Sequence, residues 1–583
     1  MARTLIPTDA LAAVVHKTVT GLLGADYADV DPQVRRSAHA DLQADLAMSL
    51  ARRLKQAPRA IAQRIADAIP TGAASDLVDA VEVAGPGFLN VKLKDEWLAD
   101  AAMAAARDER LGVAVAATPE RIVLDYSHPN VAKEMHVGHL RSTVIGDALA
   151  RLLEWRGHTV IRQNHIGDWG TPFGMLIEHL IDLGDEQAGR ELAMGELGLF
   201  YKAARRKFDE DPAFADRARK RVVALQGGDA PTLERWRVLV DLSVRYFESV
   251  YERLGITLRR EDLCGESSYN DRLAPLARES SESGYAKRSE GALCVFPAGF
   301  KNKEGQPLPL ILQKSDGGFG YASTDLAAIR YRLMELHATR ILYVVGAPQA
   351  QHLSMVFTVA QEVGWLAPPA RAEHVAFGSV LGTDKRMYRS RSGDTVRLVD
   401  LLDEAVDRAA AAVAEKSPEL DAASRAEVAR ILAMGSIKYA DLSNDRVKDY
   451  VFDLDRMVSF EGNSAGYLQY AYVRTKSIAR KAGASSPPGA IRVQEVAERS
   501  LTMELLSFGA AVRSVEETLE PHRLAHYLYA LALAFTAFWD ACPVLRSDVP
   551  ADVRASRLAL VELTGRTLAR GLALLGIEVP ERM

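Results

Sequence analysis

The hydrophobic pattern between residues 121 and 164 predicts a strand, a helix and a second strand. Arg121-Ile-Val-Leu124 is a short apolar run typical of a buried strand. From Val137 to Leu152, apolar residues recur every three or four positions, which is helical periodicity. Gly157 stands where a helix ends, and residues 159–164 form the second apolar run. Such a unit crosses over right-handed and places its first loop and the helix N-terminus at the carboxyl end of a parallel sheet.

The pattern along the remaining chain predicts an α/β protein of three domains with a Rossmann-like catalytic centre. Residues 1–110 alternate helical and strand patterns and predict a small N-terminal α/β domain. Residues 111–400 carry the parallel sheet, interrupted by a helical insertion at about 185–260 with an apolar stripe. Residues 401–583 predict an all-helical domain. The strand candidates for the second half of the sheet are 293–296, 309–313, 341–345 and 375–380.

Composition and charge exclude several classes of protein. The net charge of −5 over 583 residues gives no overall basic signature of a nucleic-acid binder, although local basic faces remain compatible with it. The three cysteines are scattered without CxxC spacing, so we expect neither a zinc ribbon nor a disulfide framework, and a reducing cytoplasm fits. We expect no signal peptide. The most apolar stretch, Leu524 to Trp539, is too short to span a bilayer, so we expect no membrane association.

Candidate chemistry is concentrated at the start of the predicted helix after the first strand. His136 and His139 are three residues apart and project toward one spot, with Lys133 just upstream and Gly138 between them. Free backbone N–H groups and the helix dipole favour phosphate there, so the arrangement suits charge building up on a triphosphate. Two other interpretations are half of a metal site, although no HExxH glutamate accompanies it, and ordinary surface histidines.

The residues around these histidines carry a resemblance to a known family. Residues 129–139, Pro-Asn-Val-Ala-Lys-Glu-Met-His-Val-Gly-His, resemble the HIGH signature of class I aminoacyl-tRNA synthetases. The flanking residues 130–133 and 138–143 are similar specifically to arginyl-tRNA synthetases. Residues 41–65 resemble the N-terminal extension of that family, which implies contact with the outer corner of the tRNA. Residues 164–175, a loop with Asp168 and Trp169, are also similar to it, although a turn with a packed tryptophan is an equal interpretation.

A second group of polar residues follows the later strands. Tyr321 and Asp325 flank the start of a predicted helix, for which we expect Ser323 or Thr324 as the N-cap. Asp325 in a first turn can simply complement the helix dipole. The glycine-rich loop before it and the similarity to the family's Tyr-x-x-x-Asp favour ligand binding. Gln349 and His352 follow a strand end, where α/β sheets place ligand contacts.

The cation-rich residues 382–393 resemble the second class I signature, the KMSKS loop, at Met387 to Arg391. Ser390 stands where the motif has its second lysine. The resemblance implies that Lys133 takes over that phosphate contact and that Met387, Arg389 and Arg391 contact ATP. A plain solvated turn is the alternative interpretation for these cations.

The helical C-terminal part combines aromatic residues with cations. Tyrosines between 467 and 472 precede Arg474 and Lys476. This combination suits unstacked RNA bases and phosphates, although helical spacing places several of the tyrosines in a core. The segment resembles the anticodon-binding domain of arginyl-tRNA synthetases, so Arg474 and Lys476 are predicted to bind tRNA.

The resemblance implies an arginine–tRNA ligase that makes arginyl-adenylate from L-arginine and ATP and transfers the arginyl group to tRNA(Arg). Lys133, His136, Gly138 and His139 are then catalytic, and His136, His139 and His352 contact ATP. A guanidinium requires carboxylates and a flat partner. The residues predicted to bind arginine are Asp125, Ser127, Asn130, Glu266, Tyr321, Asp325 and Gln349.

The expected assembly is a monomer that uses ATP with Mg²⁺, without a dedicated metal site in the protein. Two alternatives remain open. One is another class I synthetase or ATP-dependent ligase with the same nucleotide-binding fold, because a fold alone does not fix function. The other is a non-catalytic RNA-binding relative.

Overall fold

The structure is a computed structural model that describes residues 4–184, 197–386, 396–483 and 489–583. The chain forms two compact units. The first contains the residues up to Ala114 together with Ser459–Ala573 and Glu578–Met583, and the second contains Val115–Val458 with Leu574–Ile577. The predicted C-terminal domain is therefore shared between the units, because residues 401–458 belong to the same unit as the parallel sheet.

The N-terminal part of the first unit is a four-stranded antiparallel sheet covered by helices, with strand order β1-β2-β4-β3. Its apolar core combines Leu11 and Val15 of the first helix with Leu89 and Val91 of the last strand. The sequence pattern of residues 42–54 predicts a helix, but the helix begins only at Leu46, because Leu42–Ala44 pairs with two neighbouring strands. The elements are α1 (Pro7–Leu23), β1 (Val34–Arg36), β2 (Leu42–Ala44), α2 (Leu46–Leu54), α3 (Pro58–Ala68), β3 (Val78–Ala84), β4 (Phe88–Leu93) and α4 (Asp95–Arg107).

The second unit contains a four-stranded parallel sheet, two smaller sheets and a set of helices. Its strands are β5 (Arg121–Asp125), β6 (Thr159–Gln163), β7 (Lys287–Ser289), β8 (Ala292–Val295), β9 (Leu310–Gln313), β10 (Arg340–Tyr343), β11 (Arg371–His374), β12 (Val380–Leu381) and β13 (Tyr450–Val451). Its helices are α5 (Val137–Trp155), α6 (Thr171–Leu183), α7 (Leu197–Glu210), α8 (Pro212–Gln226), α9 (Ala230–Leu254), α10 (Asn270–Glu282), α11 (Tyr321–Met334), α12 (Ala350–Glu362), α13 (Leu398–Lys416), α14 (Ala422–Leu442) and α15 (Leu454–Met457).

The parallel sheet has the order β11-β10-β5-β6, so β5 lies in its interior. Asp125, the last residue of β5, is in register with Tyr343 of β10 and Gln163 of β6. The predicted β-α-β unit is confirmed, with Gly157 in the left-handed region (φ +94°) just after α5. The carboxyl ends of these strands therefore present Asp125, Tyr343 and Gln163 in one row.

Three of the four strand candidates for the second half of this sheet were misplaced. Residues 293–296 and 309–313 overlap β8 and β9, which belong to a separate three-stranded antiparallel sheet in which β8 pairs with both β7 and β9. The run 375–380 is not a strand: β11 ends at His374, and only Val380–Leu381 pairs again, with β13. Apolar runs of this length do not specify the partner strand, and pairing geometry decides it.

The C-terminal part of the first unit is helical, as predicted. Its elements are α16 (Ala465–Ala482), α17 (Val496–Leu506), α18 (Phe508–Thr518), α19 (His522–Ala541) and α20 (Ala551–Leu574). Met503 and Leu506 of α17 join the apolar core of the N-terminal sheet. Arg499 of the same helix donates to both carboxylate oxygens of Asp41, to the Leu93 carbonyl at 2.6 Å and to Asp95. Within the described parts of the chain, no helix is both long and apolar enough to cross a bilayer.

Candidate active site

The loop between β5 and α5 has an unusual backbone. Ser127, His128 and Ala132 all have positive φ angles, of 82°, 54° and 59°. Non-glycine residues in this region cost free energy and persist only where the surrounding structure holds them. Here the Ser127 amide donates to Ser142 Oγ at 2.9 Å, and the Ala132 amide donates to Ser243 Oγ at 2.9 Å. The loop is thus fixed in a strained shape at the carboxyl edge of the sheet, where such strain accompanies ligand sites.

His136 and His139 share one hydrogen-bonded arrangement at the start of α5. His136 is the N-cap residue, and its Nδ1 accepts a hydrogen bond from the Gly138 amide at 3.0 Å. His139 Nδ1 accepts from the His136 amide at 3.1 Å. A neutral imidazole has one acceptor nitrogen and one N–H group, so in both rings the hydrogen lies on Nε2. With ring centroids 4.0 Å apart, the two imidazoles form a close pair of Nε2–H donors.

Burial keeps both rings in this neutral form. Desolvation, followed by the neighbouring His136, lowers the pKa of His139 to about 3. Desolvation also lowers the pKa of His136, with a contribution from the Lys133 charge. Both rings are therefore hydrogen-bond donors rather than cations at neutral pH. That suits stabilisation of charge that develops on a phosphate in a water-poor site.

Gly138 is required by the ring of His136. A Cβ at this position would lie 2.8 Å from Cε1 and 2.9 Å from Nδ1 of that ring. Any larger residue would therefore push the imidazole out of its capping position.

The chain that follows the second signature is tied to the first signature. Leu398 donates its amide to the Met135 carbonyl at 2.8 Å, and His136 and Arg397 form an isolated antiparallel bridge. The Arg397 guanidinium also contacts Glu134 at 3.2 Å. Met387, Arg389 and Arg391 lie outside the described residues, so their predicted contact with ATP stays a prediction.

Asp125 faces a buried internal arginine. Arg332 of α11 donates to Asp125 Oδ2 at 2.7 Å and to Gln163 Oε1 at 2.6 Å, and its guanidinium lies over the Tyr343 ring at 4.9 Å. Burial alone would raise the pKa of Asp125, but Arg332 and then His128 overcome this and lower it. Asp125 is therefore an anion with one oxygen engaged. Its Oδ1 lies 3.5 Å from His128 Nε2 and accepts no hydrogen bond from the described residues.

Tyr321, Asp325 and His352 come together at the N-terminus of α11. His352 Nε2 donates to Asp325 Oδ2 at 2.6 Å, and the Tyr321 and His352 rings meet edge to face with centroids 4.8 Å apart. Tyr321 is 68% exposed, so its ring is open to a ligand. His352 was predicted to contact ATP, and here its partner is a residue predicted to bind arginine.

The helix start itself differs from the prediction. α11 begins at Tyr321 with Gly320 as the N-cap, so the expected caps Ser323 and Thr324 are wrong. The Ser323 hydroxyl instead donates to the Leu312 carbonyl, and the Thr324 hydroxyl donates to the Gly320 carbonyl at 3.3 Å. The Ser323 hydroxyl therefore ties the first turn of α11 to β9, whereas the Thr324 hydroxyl bonds to the residue that caps the helix.

A further acidic group lies near Asp325. Burial, followed by the charges of Asp168 and Asp325, raises the pKa of Glu266 to about 7. Asp168 is itself held by the Ser267 amide at 2.8 Å and the Ser267 hydroxyl at 2.6 Å. The Asp125 and Asp325 charges both act on His165, whose pKa burial nevertheless lowers. The carboxylates of β5, α11 and the 266 loop thus contribute to one negative region.

The other residues predicted to bind arginine differ in whether their polar groups are exposed or already bonded within the protein. Asn130 is exposed, and its Oδ1 approaches Gly167 so closely that a Cβ there would lie 2.5 Å away. Gln349 is exposed at the N-cap of α12. Ser127 is buried, and its hydroxyl already bonds Thr143 Oγ1 at 2.8 Å and the Tyr251 hydroxyl at 2.7 Å. These contacts give Ser127 a supporting role in the loop.

Two residues of the site were not anticipated from the sequence. Arg332 stands among the buried apolar residues Leu326, Ile329 and Leu333 of α11, and a lone cation in an apolar stripe was the available signal. His165 follows β6 and lies 5.7 Å from the Tyr269 ring. A polar residue just beyond the end of a strand in the parallel sheet is a weaker signal of the same kind.

Arg474 and Lys476 lie on α16 in the first unit. The Arg474 guanidinium is 5.6 Å from the Trp539 ring and 5.9 Å from the Tyr470 ring, and Lys476 Nζ is 5.5 Å from the Tyr472 ring. Tyr470 is 46% exposed, whereas Tyr472 is buried in the core. Cations stacked on partly exposed rings suit RNA binding. No group of three or more metal-ligating side chains occurs in the described part of the chain.

Comparison with known proteins identifies the family. Residues 102–454 match the family described as tRNA synthetases class I (R), catalytic domain. Residues 468–583 match the DALR anticodon binding domain, and residues 8–93 match the arginyl tRNA synthetase N terminal domain. The chain belongs to the arginyl-tRNA synthetases. It is 53% identical to the arginine–tRNA ligase of Thermobifida fusca, over 99% of this chain and 100% of that protein.

Solved structures of arginyl-tRNA synthetases have the same fold. The enzyme of Plasmodium falciparum superposes with a TM-score of 0.84 at 26% identity, covering 99% of both chains. The enzyme of Thermus thermophilus superposes with a TM-score of 0.82 at 27% identity, covering 100% of both. The predicted family, fold class and aminoacyl-tRNA ligase function are therefore confirmed, in preference to the two alternatives.

Proposed function

We propose that this arginyl-tRNA synthetase activates L-arginine at the cluster formed by the β5–α5 loop and α11. Asp325 takes the forked guanidinium beside the exposed Tyr321 ring, which supplies a flat surface. Asp125 and Glu266 add to the negative region, and Asn130 with Gln349 hold the α-amino and carboxylate groups. The observation that carries this proposal is the pairing of Asp325 with His352 next to Tyr321, which aims a carboxylate and a ring at one place.

The phosphates of ATP are proposed to bind at the N-terminus of α5. The Nε2–H groups of His136 and His139 are the donors offered to phosphate, because both Nδ1 atoms accept hydrogen bonds from backbone amides. Lys133 supplies the cation that the second signature lacks. Mg²⁺ is proposed to arrive with ATP, as magnesium commonly binds through substrate phosphates rather than an all-protein cage.

The reaction divides into activation and transfer. The arginine carboxylate attacks the α-phosphorus, and pyrophosphate leaves while the two imidazoles stabilise the developing charge. The terminal ribose of tRNA(Arg) then takes the arginyl group. Residues 1–110 and the helices from Ala465 onward are proposed to contact the tRNA, with Arg474 and Lys476 binding phosphates or bases.

We also propose a cellular compartment and an oligomeric state for this protein. Cys264, Cys294 and Cys542 are all free thiols, which supports a reducing cytoplasm. We propose that the protein is a monomer. Sedimentation with and without tRNA tests this assignment.

The decisive assay is arginine-dependent exchange of pyrophosphate into ATP, with tRNA present. Asp325→Ala should lower kcat/KM for arginine at least about 30-fold, because truncating one partner of a hydrogen-bonded charge pair costs roughly 2–5 kcal/mol. The control is Glu282→Ala, which removes an exposed carboxylate of α10 and should leave the exchange unchanged. Near-normal exchange in Asp325→Ala, or equal exchange with lysine in the unmodified protein, contradicts the assignment.

A further inference from the structure

The Lys133 side chain is held by an aromatic ring from the helical insertion. Its Nζ lies over the Tyr201 ring, 4.7 Å from the centroid. Tyr201 belongs to α7 and is partly exposed. A ring face attracts an ammonium through its quadrupole, and this contact restricts a side chain that otherwise has large rotamer freedom.

The carboxylate next to Lys133 in sequence is engaged elsewhere. Glu134 pairs with Arg397 at 3.2 Å, and its Oε2 lies against the backbone of Gly198, where a Cβ would be only 2.7 Å away. In the described part of the chain, no carboxylate lies within ion-pair distance of Lys133. The first turns of α7 thus cover both residues and direct them to different partners.

The chemical type of the residue that contacts Lys133 determines how strongly its ammonium can bind a polyphosphate. A carboxylate would cancel the positive charge and compete with the phosphates for it, whereas a ring carries no net charge. The charge of Lys133 contributes to the lowered pKa of His136, the N-cap residue of α5, so the ammonium lies near the N-terminus of that helix. A pre-ordered cation also loses less conformational entropy when the ligand binds.

We propose that Tyr201 is a positioning residue that holds the Lys133 ammonium beside the N-terminus of α5 without neutralising it. The inference rests on the proposed function, because it assumes that ATP phosphates bind there. It gives the helical insertion a part in arginine activation.

Four variants test the proposal by arginine-dependent pyrophosphate exchange: Tyr201→Phe, Tyr201→Leu, Lys133→Ala and the double variant of the last two. Tyr201→Phe keeps the ring and should stay within about twofold of the unmodified protein. Tyr201→Leu should lower kcat/KM for ATP about two- to fivefold, the range of a partly exposed cation–π contact, and leave KM for arginine unchanged. In the Lys133→Ala background, Tyr201→Leu should cause no further loss.

Three results would overturn the proposal. One is an equal loss in Tyr201→Phe and Tyr201→Leu, and another is an undiminished effect of Tyr201→Leu when Lys133 is already absent. The third is an unchanged affinity of Tyr201→Leu for MgATP in calorimetry. The binding measurement does not depend on catalysis, so it tests this inference separately from the proposed function. Failure of the proposed function would show instead as an unmodified protein without arginine-dependent exchange. Thermal melting identifies a variant that has not folded.

Discussion

Replacing Gly138 by alanine should separate the activity of this protein from its stability. The new Cβ would lie 2.8 Å from Cε1 of His136, whereas carbon atoms pack at roughly 3.5–4.0 Å, so the ring must retreat by about 0.7–1 Å. The retreat breaks the 3.0 Å hydrogen bond from the Gly138 amide, a cap worth about 1 kcal/mol. Alanine in place of glycine in a helix regains roughly 0.5–1 kcal/mol, so the stability should change little.

Activity should respond much more strongly. A misplacement of about 1 Å can cost 100-fold in rate, and loss of one preorganised donor costs roughly 100- to 1000-fold. Arginine-dependent pyrophosphate exchange should therefore fall at least 100-fold in Gly138→Ala. Thermal melting should move by no more than a few degrees. The matched control is Gly21→Ala in α1, where a Cβ meets nothing within 4 Å and exchange should be unaffected. Gly138→Ala with normal exchange would refute the role assigned to the His136 ring.

Two further predictions concern stability. His139 is buried with a pKa of about 3 against 6.5 for an exposed histidine, so the unfolded chain binds the extra proton and stability falls as the pH drops below about 6.5. At pH 5 the loss of stability amounts to about 2 kcal/mol. Between pH 7.5 and pH 5, the urea midpoint of the unmodified protein should therefore drop further than that of His139→Asn. Equal drops in the two proteins would contradict this prediction. Arg499→Ala should destabilise the first unit by about 3 kcal/mol because Asp41 is left without its partner. Arg35→Ala, which removes an exposed pair, should stay within about 1 kcal/mol, and equal effects of the two changes would show that burial is not decisive.

The parts of the fold that could be predicted are those set by local pattern. The periodicity from Val137 to Leu152 and the glycine at 157 specify α5 and its end without reference to other parts of the chain. The runs at 293–296 and 309–313 could not be assigned to a sheet, because an apolar run fixes a strand but not its neighbour. Their place in the antiparallel sheet β7-β8-β9 depends on turns and contacts that no single stretch encodes.

The site divides in the same way. His136, His139 and Lys133 were recognisable because their chemistry and spacing are local. The engagement of Ser127 by Tyr251 and of Asp125 by Arg332 was not, since each partner is more than a hundred residues away in sequence. Sequence patterns identify polar groups near the ends of strands and helices. Only the folded structure shows whether such a group is available to a ligand or already bonded to another residue of the protein.

The division of the chain into units constrains how the molecule is made. The sheet unit contains Leu574–Ile577, and the Gly576 carbonyl there accepts a hydrogen bond from Lys438 at 2.6 Å. The other unit joins the residues before Ala114 to helices that begin beyond Ser459. During synthesis, neither unit therefore has all its residues until nearly the entire polypeptide has left the ribosome. The apolar core of the N-terminal sheet therefore stays incomplete until Met503 and Leu506 have been synthesised.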